Sequence, residues 1–127
     1  MIQRFGKEYK LKSKKKTEVL FKKGRRFHSP ILTMVFLKEK IEEGEVACLK
    51  ILVSVPKRNF KKAVDRNLLR RRIKEAFRLY LKQGLKFDTT SYHWNFALVY
   101  KETRIRDFND IQSALNLLLR KLEEKNS

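Results

Sequence analysis

Leu52-Val-Ser-Val-Pro-Lys-Arg-Asn-Phe-Lys-Lys-Ala-Val-Asp-Arg-Asn-Leu-Leu-Arg-Arg-Arg-Ile-Lys-Glu-Ala-Phe-Arg78 changes period part-way along, and the rest of the chain can be ordered from that change. Up to Val55, Leu49, Ile51, Val53 and Val55 alternate with Cys48, Lys50 and Ser54. That is the period of a strand with one buried face, predicted over Val46 to Val55 and ended by Pro56. From near Ala63 to near Gly84, Leu69, Ile73, Ala76 and Tyr80 recur at the spacing of one helical stripe. Unrolled from Arg66 at about 100° per residue, Asn67, Arg70, Arg71, Lys74 and Arg78 fall between about 40° and 140°. The apolar stripe falls near about 280–340°, and Arg72 lies apart from both. One helix therefore carries a core face and a cationic face.

Working outward, Ser13 is a helix N-cap, with the helix running to Lys23 and Gly24 just past its end. Thr17, Leu20 and Phe21 share one face of it. Phe27 to Leu37 reads as a strand, or as two divided at Pro30. Lys38 to Glu45 reads as a charged turn. Trp94 to Tyr100 is a further strand. Asp107 caps a last helix with apolar positions Phe108, Ile111, Leu115, Leu118 and Leu122. A strand on each side of the long helix suggests a β-α-β crossover. The whole reads as an α/β sandwich, helices packed on a small sheet. Phe5, Tyr9 and Leu11 are possible anchors for an otherwise mobile basic arm over residues 1–12.

The chain has 127 residues, 32 Lys+Arg and 14 Asp+Glu, a formal net charge of +18. Its 42% hydrophobic content supplies one modest core and argues against disorder. Residues 1–26 hold 11 bases and 2 acids, and residues 57–74 hold 9 bases and 1 acid. The other 83 residues are nearly neutral, so almost all the excess sits in two blocks. A merely solvated surface intersperses both signs; segregated cations point to a polyanion. The longest uncharged stretch, Thr89 to Tyr100, is 12 residues, short of the roughly 20 that span a bilayer. No membrane partner and no secretory leader are expected. The single cysteine, Cys48, fits a reducing compartment, so the expected location is cytoplasmic.

Arginine's planar fork suits bidentate phosphate contacts, and Asn67 adds a donor and an acceptor. A helix-turn-helix lacks its first short helix. Cys48, His28 and His93 are too few and too scattered for a zinc site. No nucleophile–base set, glycine-rich phosphate loop or carboxylate cluster stands out, so no catalytic residue is assigned. His93 reads as structural. Glu39, Glu42, Glu43 and Glu45 read as a solvated turn.

With these residues in view, Leu52–Arg78 closely resembles the protein subunit of bacterial ribonuclease P. That family carries a strand ending in Ser-Val and basic residues, then Ala-Val-x-Arg-Asn, then a basic pair and further bases. Here the matching residues are Ala63, Val64, Arg66, Asn67, Arg70, Arg71 and Lys74. Leu20-Phe-Lys-Lys-Gly24 also looks like the family's first helix and following glycine. Three positions differ: Leu68 replaces a frequent third base, Lys61 a usual glycine, and Thr17 a common aromatic. With Lys61, the turn into the helix is expected to be shaped differently.

The resemblance implies a single RNA-binding domain over 1–127. It implies an α+β two-layer sandwich of a four-stranded sheet and three helices. The order is α-β-β-β-α-β-α, with a left-handed crossover. It implies that Arg66, Asn67, Arg70, Arg71 and Lys74 bind ribonuclease P RNA. It also implies that Phe21, Thr17, Lys57 and Arg58 border a groove for the 5′ leader of precursor tRNA. By spacing alone, Phe21 is ordinary helix core. In that family the RNA carries the active site and its Mg²⁺, and the protein holds no cofactor or metal and needs no protein partner. A structural RNA-binding protein of ribosomal type would show the same charge and size without turnover. A protein-only nuclease is a third reading.

Overall fold

A computed structural model of the chain describes residues 10–126. Phe5 and Tyr9, expected as anchors, lie outside the described residues. The first helix, α1 (Lys14–Lys23), starts where expected: Ser13 Oγ accepts from Lys16 N–H at 3.2 Å. Gly24 follows it with an extended φ of −68°, so the left-handed cap is not what requires glycine. A Cβ there would lie 2.9 Å from Val35 Cγ1 and closer still to Leu20 O. Close packing of α1 on the sheet is the reason.

The predicted Phe27–Leu37 segment divides into β1 (Arg25–His28) and β2 (Leu32–Lys40). Ser29 joins them, its hydroxyl accepting from Leu32 N–H at 2.9 Å and donating to Leu32 O at 3.0 Å. β2 runs past the apolar residues, so the charged turn is shorter than predicted. Lys38, Glu39 and Lys40 pair with Trp94, His93 and Tyr92. Backbone pairing holds this exposed end, and Lys38 Nζ sits 4.7 Å from the Tyr92 ring centroid.

The strand β3 (Leu49–Ser54) starts three residues later than read, leaving Val46 exposed. After it come α2 (Ala63–Lys82), β4 (Tyr92–Tyr100) and α3 (Phe108–Asn126). The sheet order is β1-β2-β4-β3. β3 and β4 are parallel neighbours with α2 between them in sequence, the expected crossover, and the other pairs are antiparallel. Asp107 caps α3 as read, accepting from Asp110 N–H at 2.8 Å.

The helices α2 and α3 cover one face of the sheet. Met34, Phe36, Ile51, Val53, Trp94, Phe96 and Leu98 share a core with Leu69, Ile73, Phe77, Leu81, Leu115 and Leu119. The opposite face meets α1, where Leu20, Val35, Ala97 and Leu11 form a second, smaller cluster. The two-layer sandwich is present, and α1 adds a partial third cover.

Candidate nucleic-acid interface

The cationic face of α2 is less uniform than unrolling suggests. Phe77 and Leu81 fall at about 20° and 60° on the same wheel and are buried, because α3 widens the core side. Arg70 and Lys74 therefore sit at the border, half-buried, while Asn67 and Arg71 are exposed. Arg66 Nη1 donates to Phe60 O at 2.7 Å and to Lys61 O at 2.9 Å. That guanidinium closes the turn entering α2 at the point where Lys61 replaces glycine. Arg70 donates to Asn67 Oδ1 at 3.0 Å, so the amide is pre-oriented on the surface. Arg78 is paired with Glu75. Arg71 has no hydrogen-bond or ion-pair partner among the described residues.

Arg72, set apart on the wheel, donates to Arg106 O at 2.6 Å. It ties α2 to the loop between β4 and α3. The same loop is held by Tyr100 Oη, which accepts from Arg106 N–H at 3.0 Å. It is also held by ion pairs from Arg106 to Glu102 and Asp110.

The last arm residues are seated rather than mobile. Leu11 N–H donates to Ile51 O at 2.9 Å, and Lys10 bridges Ile51 in parallel at the free edge of β3. Leu11 is buried with Leu20 and Ala97, and that burial anchors the segment. Leu11 is thus held where it was read as a possible anchor of the arm. Burial lowers the Lys74 pKa, and the charges of Lys10 and Arg70 lower it further. The two basic blocks thus meet in space at Lys10 and Lys74.

On the α1 side, Phe21 is half-buried beside Leu37 and Leu52 against the small cluster, so its ring is only partly core. Thr17 Oγ1 donates to Ser13 O at 2.8 Å, turned back on its own helix. Lys57 and Arg58 are exposed in the turn after β3, where Asn59 N–H donates to Pro56 O at 3.1 Å.

A family model for ribonuclease P matches residues 5–123. The chain belongs to the ribonuclease P protein family. A ribonuclease P protein component of Clostridium botulinum (strain Langeland) is 30% identical over 115 residues, covering 91% of this chain and 95% of that protein. One from Picosynechococcus is 35% identical over 77 residues, 61% of this chain and 62% of that one. In fold, the chain is similar to the Staphylococcus aureus RNase P protein, with a TM-score of 0.70 at 19% identity. That match covers 92% of this chain and 97% of the other. The Thermotoga maritima RNase P protein gives 0.67 at 20%, covering 88% and 96%.

Sequence reasoning missed a cavity of about 320 Å³ beside α1. It is lined by Lys16, Glu45, Val46, Cys48, Lys50, His93 and Asn95. His93 Nδ1 accepts from Cys48 N–H at 3.1 Å, and Nε2 lies 3.5 Å from Glu45 Oε1. Glu45 is not simply solvated, because it also accepts from Glu42 N–H at 2.7 Å, which lowers its pKa. The available signal was Asn95, a polar residue inside the apolar Trp94–Tyr100 run. Among the described residues no three His, Cys, Asp or Glu side chains group to hold a metal. No described helix is long and apolar enough to cross a membrane.

Proposed function

We propose that this chain is the RNA-binding subunit of a cytoplasmic ribonuclease P ribonucleoprotein that removes the 5′ leader of precursor tRNA. In this reading Arg66, Asn67, Arg70, Arg71 and Lys74 grip the catalytic RNA. Phe21 stacks a leader base, Thr17 flanks it on α1, and Lys57 and Arg58 hold leader phosphates. The RNA performs the cleavage with its own Mg²⁺, and the protein supplies no catalytic group, metal or cofactor.

The observation that carries this reading is the meeting of the two basic blocks at Lys74. Both charges that act on its half-buried ammonium are cations. Gathering like charge is unfavourable in the free protein and favourable against phosphates, with counterion release adding to affinity. Arg66 keeps the helix entry in place while Arg71 and Asn67 face outward. A leader of variable sequence needs stacking and cationic walls more than a base code.

Reconstitution with a bacterial ribonuclease P RNA at low Mg²⁺ tests the proposal. Precursor-tRNA cleavage is expected to rise, with tighter binding of leader-bearing substrate. RNA binding with no gain in cleavage would return the ribosomal-type reading. Cleavage by rigorously RNA-free protein would put the chemistry in this chain.

A further inference from the structure

We propose that Arg25, Lys121 and Lys125 form a separate phosphate-binding patch at the β1 edge of the sheet, for the backbone of the catalytic RNA. The inference rests on the reading of the chain as a ribonuclease P RNA-binding subunit. It adds a contact surface that neither the α2 face nor the α1 side of the sheet includes. Arg25 and Phe27 are two apart on β1, so they share the sheet face that α3 covers. The Phe27 and Phe36 ring centroids lie 5.0 Å apart. Lys121 and Lys125, one turn apart on α3, place Nζ 4.7 and 5.6 Å from the Phe27 centroid. Arg25 Cζ lies 6.0 Å from the Phe36 centroid. Three exposed cations, from two elements far apart in sequence, thus gather over one aromatic pair.

The way these cations are held decides what they can do. A carboxylate neutralises the cation it positions, whereas an aromatic face positions a cation and leaves its full charge. None of the three enters an ion pair among the described residues. The acids on the same stretch of α3 are engaged elsewhere. Glu123 accepts from Tyr80 Oη–H and from Lys86 N–H, and Glu124 lines a cavity with Lys86 and Arg120. Ordered, unneutralised like charges repel one another in the free protein and attract a phosphate backbone. The two rings are only 6% and 4% exposed. The patch therefore offers charge without the apolar centre on which protein interfaces are built. Arg25 adds a planar fork suited to bidentate phosphate contact. The position favours a large folded RNA. Lys10 sits at β3, the opposite edge, three strand spacings or about 14 Å across the sheet. One phosphate cannot answer both edges, but a folded RNA presents several strands.

The test uses the full chain and a bacterial ribonuclease P RNA, with binding followed across a salt series. Arg25→Gln with Lys121→Gln and Lys125→Gln is expected to flatten log K against log salt by about 2, the loss of two or three phosphate contacts. Arg25→Lys with Lys121→Arg and Lys125→Arg, which keeps the charge, is expected to hold the wild-type slope. In hydroxyl-radical footprints the neutral variant is expected to expose nucleotides that Arg70→Ala with Arg71→Ala leaves protected. An unchanged slope, a charge-keeping variant as weak as the neutral one, or exposure of the same nucleotides by both variants overturns the proposal. A measurement on the unmodified chain guards against misfolding. Acylation of Lys121 and Lys125, read by mass spectrometry, is expected to slow severalfold when the RNA is added. Undiminished reactivity overturns the proposal as well. A patch that fails while the Arg70 and Arg71 variant still weakens binding leaves the proposed function standing. A failed reconstitution removes the function, while lysine protection on the RNA still decides the patch.

Discussion

Toward α2 and α3 the sheet presents Met34, Phe36, Ile51, Trp94, Phe96 and Leu98; toward α1 it presents Val35, Ala97, Leu37, Leu52, Lys50 and Asn95. On the first face the rings interlock. Phe77 meets Phe96 edge-on at 5.5 Å, and Trp94 stacks on Phe96 at 5.8 Å. Two long helices, α2 and α3, cover that face. On the second, among the described residues, one ten-residue helix with Leu11 covers Val35 and Ala97 and leaves Leu37, Leu52 and Phe21 half-buried. The difference is one of cover. A face sealed by two helices holds the larger core, whereas among the described residues the face under one helix keeps a smaller cluster and a cavity.

The largest expected effect lies on the closed face. Phe96→Ala should destabilise the protein by about 3–5 kcal/mol in urea unfolding. A loss no greater than that of Leu37→Ala would erase the contrast between the faces. Next comes the α2 surface, where stability should hardly change. Arg70→Ala with Arg71→Ala should weaken binding to ribonuclease P RNA and flatten the dependence of log K on log salt by about 2. An unchanged slope would remove that face from the RNA contact. Phe21→Ala sharpens the reading of the open face. It should weaken leader-bearing precursor by about 1–3 kcal/mol and leave leaderless tRNA nearly untouched. Equal losses on both substrates would return Phe21 to the core.

The smallest effect concerns the loop that seats Trp94. Asp88 Oδ1 accepts from Thr90 and Ser91 N–H at 2.9 and 3.0 Å, and Asp88 O accepts from Trp94 Nε1–H at 2.7 Å. The two backbone donors hold the Asp88 carboxyl down at about 2. A depressed folded pKa stabilises above the ordinary carboxylate value, and that stability is lost as pH falls through about 2. The Tm deficit of Asp88→Ala should therefore be present near neutrality and fade as pH drops toward about 2. A deficit unchanged across that range would show that the charge is not what holds the loop.

Most elements were legible because their signals are local. Ser13, Gly24, Pro56 and Asp107 mark boundaries through short-range chemistry, and Leu69, Ile73, Ala76 and Tyr80 mark a helix by spacing alone. The misses came from partners distant in sequence. Lys38–Lys40 are strand because β4 pairs with them, despite their charge. Phe77 and Leu81 are core because α3 lies against them. Leu11, already read as a possible anchor, finds its partners in Leu20 and Ala97. The candidate cationic residues were visible by composition and by resemblance. Their division of labour was not: Arg66 closes a turn and Arg72 ties down a loop, while Asn67 and Arg71 stay exposed.

By itself the sequence determined that cations are segregated into two blocks, that one helix is both core-forming and basic, and that strands flank it. Those properties depend on residue type and period, which need no knowledge of the distant chain. Only the tertiary structure decided that Lys10 comes beside Lys74, which face of the sheet stays open, and that Lys121 and Lys125 meet Phe27. Each of these depends on contacts between residues far apart in the chain, set by how the helices cover the sheet.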